Sequence, residues 1–280
     1  MLAFKTLVAV ALLVAAATAV EVVEIPAEEL RSEPAAFEGF PAGVPKMTCS
    51  RNAKDKEFVN RCIRNNFQSL LPAIRNGGTF GLPNLDPYHI KDLALKVKTL
   101  PISFHVSFTN LSVYGMPDGI IRDARSDLTD DGVNMDIGVT FPKLTFKGIF
   151  EFTNGVFASW NFKGRGPFDV TFLNTRATWR LSGKKKEGDT HMTIERLAPL
   201  LPYTVGGMKF WAKGLVDGTP ALDDVVVLMV NRLWSEVVDL GKPIINENIA
   251  EHLTALANDV FRSVPYDQLF PKNSEPMDGP

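Results

Sequence analysis

The chain has 280 residues, with 30 Lys and Arg against 32 Asp and Glu, and 45% of its residues are apolar. A net charge of −2 gives no sign of nucleic-acid binding or of a highly charged substrate. Two cysteines allow at most one intramolecular bridge.

The first residues read as a processing signal. Lys5 supplies a basic start, Leu7 to Ala17 is an apolar run, and Ala17-Thr18-Ala19 has the small-x-small pattern of a cleavage site. Residues 1–19 are therefore expected to be removed and the mature protein secreted. The run is too short to span a bilayer, and no later stretch is apolar all round over about 20 residues, so no stable membrane anchor is expected. About 260 residues remain, enough for a sizeable core.

Residues 20–45 are rich in Glu, Pro and Ala and too poor in large apolar side chains to form a core, so they are expected to be an acidic flexible extension. Cys49 and Cys62 follow. In an oxidising compartment they are expected to pair, closing a short loop worth about 3 kcal/mol on the chain-entropy view, and the neighbourhood lacks ligands for a metal. Asn52 to Arg75 reads as a first helix. Asn52 stands as its cap, Gly77-Gly78 as its stop, and Phe58, Cys62, Phe67, Leu70, Leu71 and Ile74 as its apolar side.

From Leu93 to about Gly214 the apolar period is two. Leu93, Leu95 and Val97 alternate with polar residues. Further alternating sets are Ile102, Phe104, Val106 and Phe108, then Met135, Ile137, Val139 and Phe141, then Phe146, Phe150 and Phe152. Phe157, Trp160 and Phe162 come next, followed by Phe168, Val170 and Phe172. Turns are expected at Asp118-Gly119, Asp131-Gly132, Asn154-Gly155 and the lysine-bearing Gly183 to Gly188 tip. These features describe an antiparallel meander.

Ala221 to Arg262 reads as one amphipathic helix. Its stripe is Leu222, Val226, Met229, Leu233, Val237, Leu240 and Ile244, then Ile249, Leu253, Leu256 and Val260. At 1.5 Å per residue it would be about 60 Å long. Thr219 is the expected cap and Pro220 the first helical residue. Proline lacks a backbone donor, so a kink is expected at Gly241-Lys242-Pro243. Helix, many strands, long helix is the order of an α+β domain over residues 46–270 in which a curved antiparallel sheet covers the helix, with residues 271–280 as a disordered tail.

The common catalytic constellations are missing. There is no Gly-x-Ser-x-Gly elbow, no His-Glu-x-x-His pair and no phosphate-cradling glycine loop. His89, His105, His191 and His252 do not sit at metal-ligand spacing, and Thr129 interrupts the acidic stretch that would suit calcium. The chain is expected to be neither an enzyme nor a cofactor protein.

What remains is an excess of 19 phenylalanines on strand faces opposite an apolar helix. Either these fill a core, or some enclose a cavity for a small hydrophobic ligand. On the second reading the periodicity nominates Phe104, Val106, Phe108, Ile137, Val139, Phe141, Phe150, Phe152, Trp160, Phe162, Phe168 and Phe172 from the strands. It nominates Val226, Met229, Leu233, Val237 and Leu240 from the helix. Asn110-Leu111-Ser112 is an N-glycosylation signal at Asn110.

Several short motifs run in order over more than two hundred residues: Cys49 and Cys62, then Gly81-Leu82-Pro83-Asn84-Leu85-Asp86-Pro87, then Asn110-Leu111-Ser112-Val113-Tyr114-Gly115-Met116. Phe141-Pro142-Lys143-Leu144, Lys163-Gly164-Arg165-Gly166-Pro167, Val230-Asn231-Arg232-Leu233-Trp234 and Val264-Pro265-Tyr266-Asp267-Gln268-Leu269-Phe270 complete the set. Their order resembles the takeout and juvenile-hormone-binding proteins of insects. The resemblance implies an α-wrap related to the TULIP lipid-binding folds. It also implies a hydrophobic tunnel between helix and sheet for a juvenile hormone, fatty acid or other elongated lipophile, and links to circadian, feeding or courtship behaviour. The hormone carriers of that family typically carry a second disulfide; the absence of further cysteines resembles the takeout branch. A monomer with a small hydrophobic ligand, circulating in haemolymph or another extracellular fluid, is the expectation.

Overall fold

A computed structural model describes residues 20–22, 39–40, 49–99, 102–157, 160–216 and 219–272. The expected signal segment 1–19, most of the 20–45 extension and the tail beyond Lys272 lie outside the described residues.

The spine of the molecule is a hairpin of two very long strands, β5 (Gly132–Phe157) and β6 (Trp160–Lys184). With β1 (Val20–Val22), β2 (Tyr88–Thr99), β3 (Ile102–Tyr114), β4 (Ile120–Leu128), β7 (Thr193–Pro199) and β8 (Gly207–Ala212) they form one antiparallel sheet among the described residues. The main order is β1-β2-β3-β5-β6-β7. Strand β4 occupies the stretch of β5 that β3 leaves free, and β8 does the same for β6 beside β7. Two strands of this length cannot stay flat, because the right-handed twist accumulates along them.

Several sequence expectations need correction. Asn154-Gly155 is not a turn; β5 runs through it with a register shift between Phe152 and Gly155, and continues to Phe157. The first helix, α1 (Lys56–Ala73), is capped by Asp55, whose Oδ1 accepts from the Glu57 and Phe58 N–H groups, and not by Asn52. The start of the expected flexible extension is paired: Val20, Glu21 and Val22 lie against Val97, Lys96 and Leu95, the Val-x-Val alternation lending a strand to an otherwise open edge.

The long helix is interrupted, but not at the proline. α2 (Pro220–Arg232) ends at Leu233, whose φ of −104° and ψ of 31° leave the helical region, and α3 (Trp234–Ser263) then runs unbroken through Gly241-Lys242-Pro243. The break sits beside Asn231, whose amide bonds the backbone of Phe210 in β8 and also takes the Val227 carbonyl. With α2 tied to the β8 edge there, the chain redirects at the next residues so that α3 can follow β7. Proline lacks one backbone donor, and the helix continues past it. Thr219 stands at the α2 N-terminus without a side-chain capping bond.

Asn258 on α3 repeats the Asn231 device. Its Oδ1 accepts from the Ile194 N–H at 2.9 Å and its Nδ2 donates to the Ile194 carbonyl at 2.9 Å, so one amide satisfies the free edge of β7. Thr254 accepts from the Leu197 N–H at 2.9 Å. Polar side chains on the inward stripe thus replace a missing neighbour strand.

One end of the sheet closes on a filled core. Ile63 of α1, Val133 and Met135 of β5, Met192, and Val264, Tyr266 and Phe270 around α4 (Tyr266–Leu269) are all 0–1% exposed. The Cys49–Cys62 disulfide fastens the preceding loop to α1. Arg51, its side chain 1% exposed, donates to Asp130 at 2.9 Å, to Asp267 at 2.7 Å and to the Phe270 carbonyl, and its guanidinium lies over the Tyr266 ring. Burial by itself lowers the Arg51 pKa, but the hydrogen bonds to Asp130 and Asp267 and their charges together raise it.

Candidate ligand-binding site

At the other end the helices touch the sheet through β8, where Asn231 bonds the Phe210 backbone, but stand off the β5–β6 hairpin. A cavity of about 410 Å³ lies between the β5–β6 hairpin with β8 on one side and α2 with the first turns of α3 on the other. Its volume falls within the range of about 300–1,000 Å³ usual for small-molecule sites. Phe108, Phe141, Leu144, Phe146, Phe150, Phe152, Phe168, Val170 and Phe172 form much of the sheet wall. Opposite them stand short side chains: Val230, Val237, Val238 and Gly241, which has none.

Long rings facing short aliphatics would ordinarily interdigitate. Here the rings brace one another along the sheet. Phe108 and Phe168 are 5.2 Å apart between centroids, Phe150 and Phe152 5.1 Å, and Phe146 and Phe172 5.8 Å. Edge-on and tilted pairs at such distances are worth about 0.5–1.5 kcal/mol each, which resists collapse of the wall.

A change of strand phase gives the cavity its length. On β5 the inward residues are odd-numbered through Ile137, Val139 and Phe141, then even-numbered from Leu144. On β6 they are even through Phe172 and odd from Thr175, through Ala177 and Trp179. The switch falls at Pro142 and at Asn174, whose φ of 49° is left-handed. Pairing on either side keeps one register, Phe141 with Thr175 and Lys143 with Leu173. Both strands therefore roll together, and the wall runs from Phe168 to Trp179, about 36 Å of strand contour.

One end of the cavity adjoins a polar depression of about 620 Å³, with Phe152 common to both. Lys163, Arg165, Lys213 and Glu151 line it. Arg165 faces Glu151 at 3.7 Å. The glycines of the Lys163-Gly164-Arg165-Gly166 segment have a steric reason. A methyl group at Gly166 would lie 1.9 Å from the Lys213 carbonyl, and one at Gly164 2.4 Å from that of Leu215, because residues 213–215 cross the strand directly. Asp223 holds that crossing, accepting from the Gly214, Leu215 and Val216 N–H groups at 2.6, 2.9 and 3.4 Å.

The other end is built by Thr175, Ala177, Trp179, Pro199, Tyr203 and Val205. Arg176 pairs with Thr204 across a short bridge, drawing the 200–206 loop onto β6. Thr175 Oγ1 and Trp179 Nε1 are shut off from solvent and meet no hydrogen-bond partner among the described residues. Each such buried polar atom costs about 1–3 kcal/mol while unmet. Burial, then the charge of Asp239, pushes the Tyr203 phenol up to about 12, so it stays protonated.

Of the residues nominated by periodicity, Phe108, Phe141, Phe150, Phe152, Phe168, Phe172 and Val237 line the cavity. Val106 does not line the cavity but packs in a small cluster with Leu111, Ala212 and the wall residues Phe150 and Phe168. Ile137 and Val139 belong to the filled core, although their cross-strand partners Trp179 and Ala177 line the cavity. Val226, Met229 and Leu233 are half-buried on α2 and at its end, and do not form the wall. The sheet-facing positions there are Asp223, Val230 and Asn231, two of them polar clamps that hydrophobicity cannot reveal. The side chains of Phe104, Trp160, Phe162 and Leu240 lie outside the described residues. Asn110 is exposed on β3 with φ of 51°, at the register shift between Thr109 and Ser112.

Phe146 and Val170 share the alternation of nominated neighbours and were legible on the same signal. Thr175, Ala177 and Trp179 required the phase switch to be seen. The 199–205 loop carries no periodic signal. Among the described residues no group of three His, Cys, Asp or Glu side chains could hold a metal, and no helix is long and apolar enough to cross a membrane.

Residues 34–271 match the profile of the haemolymph juvenile hormone binding protein family. A curated relative, a putative beta-carotene-binding protein of Schistocerca gregaria, is 27% identical over 226 residues, covering 79% of this chain and 86% of its own. The crystal structure of Epiphyas postvittana Takeout 1 superposes with a TM-score of 0.63 at 18% identity, over 80% of this chain and 99% of that one. At that identity the likeness is one of fold.

Proposed function

The chain belongs to the haemolymph juvenile hormone binding protein family, and from that membership we propose that it is a secreted, non-enzymatic carrier of a small elongated lipophile. The ligand class is a juvenile hormone-like terpenoid, a fatty acid or a semiochemical. The observation that carries the reading is the unfilled, phenylalanine-walled cavity between helix and sheet. Burying ~300 Å² of apolar ligand surface at ~25 cal/mol per Å² supplies ~7 kcal/mol, near micromolar binding in a pre-formed site without a charged anchor. Its relative's name points to a carotenoid for that protein, another long lipophile.

On this reading residues 1–19 are removed on secretion, the mature protein acts as a monomer in extracellular fluid, and Asn110 carries a glycan on its exposed strand. A role in circadian, feeding or courtship behaviour would follow from the identity of the ligand delivered. The test is native mass spectrometry of gently purified secreted protein, with displacement of a fluorescent fatty-acid probe. Copurifying lipid and displacement support the carrier. Protein that never carries lipid and binds no probe points instead to a ligand-free signalling or interaction protein of the same fold.

A further inference from the structure

We propose that the outer side of α2, together with the outer face of β8, is a docking surface for an anionic membrane, against which the carrier loads or releases its lipophile. The loading role rests on the carrier reading, whereas the surface itself is argued from α2 and β8 alone.

α2 is amphipathic in reverse. A surface helix ordinarily turns polar residues to water and apolar ones inward. Here Asp223 and Asn231 turn inward, to bond the 214–216 backbone and that of Phe210. Water meets Ala221, Val225, Leu228 and Arg232, which are spaced four, three and four residues apart and so form one stripe. Val225 is 44% exposed and Leu228 61%. β8 continues this surface. Its Met208 and Phe210 line the cavity, so alternation turns Lys209 and Trp211 to the opposite face, where Trp211 is 46% exposed. The Asp223 and Asn231 bonds flank Trp211 in β8 and lay α2 alongside it. At about 100° per residue, Val225 and Leu228 fall on the side of α2 away from Val230, which lines the cavity. Trp211, Val225 and Leu228 therefore share one outer surface, with α2 between it and the cavity.

Charge identifies what covers it. Single apolar side chains in water are ordinary, but these three gather among cations. Lys209 and Lys213 flank Trp211, Arg232 closes the helix stripe, and Lys163 and Arg165 line the depression that Lys213 enters. The acids nearby are Asp224 on α2, Glu151 facing Arg165, and Asp169 opposite Trp211, which Lys147 takes at 2.9 Å. This side is thus cationic in a chain whose net charge is −2. Indole rings settle at the boundary of headgroups and hydrocarbon, and lysine stems lie along apolar surface while their ammonium groups reach phosphate. Charge complementarity therefore selects an anionic bilayer. The docking is peripheral, because no helix among the described residues is long and apolar enough to cross a membrane.

The test is flotation of the delipidated mature chain with lipid vesicles. The wild type should bind phosphatidylcholine–phosphatidylserine vesicles, and phosphatidylcholine alone about tenfold more weakly or worse. Lys209→Gln combined with Lys213→Gln should lower binding to the mixed vesicles about thirtyfold. Trp211→Ser combined with Leu228→Ser should lower it about tenfold. All four side chains are exposed, so both variants should melt like the wild type and bind a fluorescent fatty-acid probe with unchanged affinity, while delivering it to vesicles more slowly. A wild type that ignores vesicles, or variants that float equally well, would overturn the docking surface and leave the carrier standing. So would sedimentation showing a wild-type dimer that Trp211→Ser with Leu228→Ser breaks, since a second copy would then fill the patch. A chain that floats as expected yet binds no probe would support the surface and overturn the carrier.

Discussion

The two ends of this sheet are built from the same strands and behave differently. Around α1 and α4 the first half of β5 meets large apolar side chains, and Ile63, Val133, Met192 and Phe270 are sealed in. Around α2 and the start of α3 the other halves of β5 and β6 meet valines and a glycine, and a cavity remains. The closed end is also fastened by the disulfide and by the Arg51 clamp. The difference teaches that space is kept open by two devices together: short side chains on the helices, and rings that lean on one another along the sheet.

That contrast separates stability from binding. The largest expected effect is at the closed end, where Ile63→Ala should cost about 3–4 kcal/mol in denaturant unfolding and leave probe affinity unchanged. Removing the bridge with Cys49→Ala and Cys62→Ala should cost about 3 kcal/mol in the same assay, again with little change in affinity. Phe172→Ala at the open end should reverse the pattern. It should lose only about 1–2 kcal/mol, because one side of the ring already faces space, and change probe affinity about tenfold. If Phe172→Ala and Ile63→Ala lost the same stability, the open end would be as tightly packed as the closed one.

The smallest effect is a pH dependence. Burial, which outweighs the opposing charge of Glu251, holds the His252 imidazole below its usual 6.5, and its Nε2 has no partner among the described residues. A depressed value means the group contributes stability above the unfolded pKa, and that contribution is lost as pH falls through 6.5 toward the folded value. Thermal melts from pH 8 to pH 5 should therefore show a decline that His252→Gln removes. An unchanged slope in the variant would assign the decline to other groups.

Much of the fold was legible because alternation and helical spacing are set by burial. The β2–β3 alternation, the Asp131-Gly132 turn and the disulfide were all readable in this way. The helix break was misplaced for a physical reason: Pro243 is a visible fault through which the helix nevertheless runs, whereas Leu233 carries no breaker and yields beside Asn231, which is tied to β8. The cavity wall was half readable. Phe108, Phe150, Phe152, Phe168 and Phe172 stood out as aromatics on one face. Ile137 and Val139 carry the same signal yet pack in the filled core, and no local pattern separates them from the cavity-lining Trp179 and Ala177 directly opposite on β6. Thr175 and Tyr203 were silent, being polar residues in an apolar wall.

The most direct measurement is a probe titration of Ala177→Phe beside the wild type. Ala177 lies on the inward face of β6 between Thr175 and Trp179, so a phenyl ring there extends into the space a ligand would occupy. Probe binding should fall by about a hundredfold or more while the melting temperature holds or rises. A variant that melts like the wild type and binds the probe equally well would place the ligand somewhere other than this cavity.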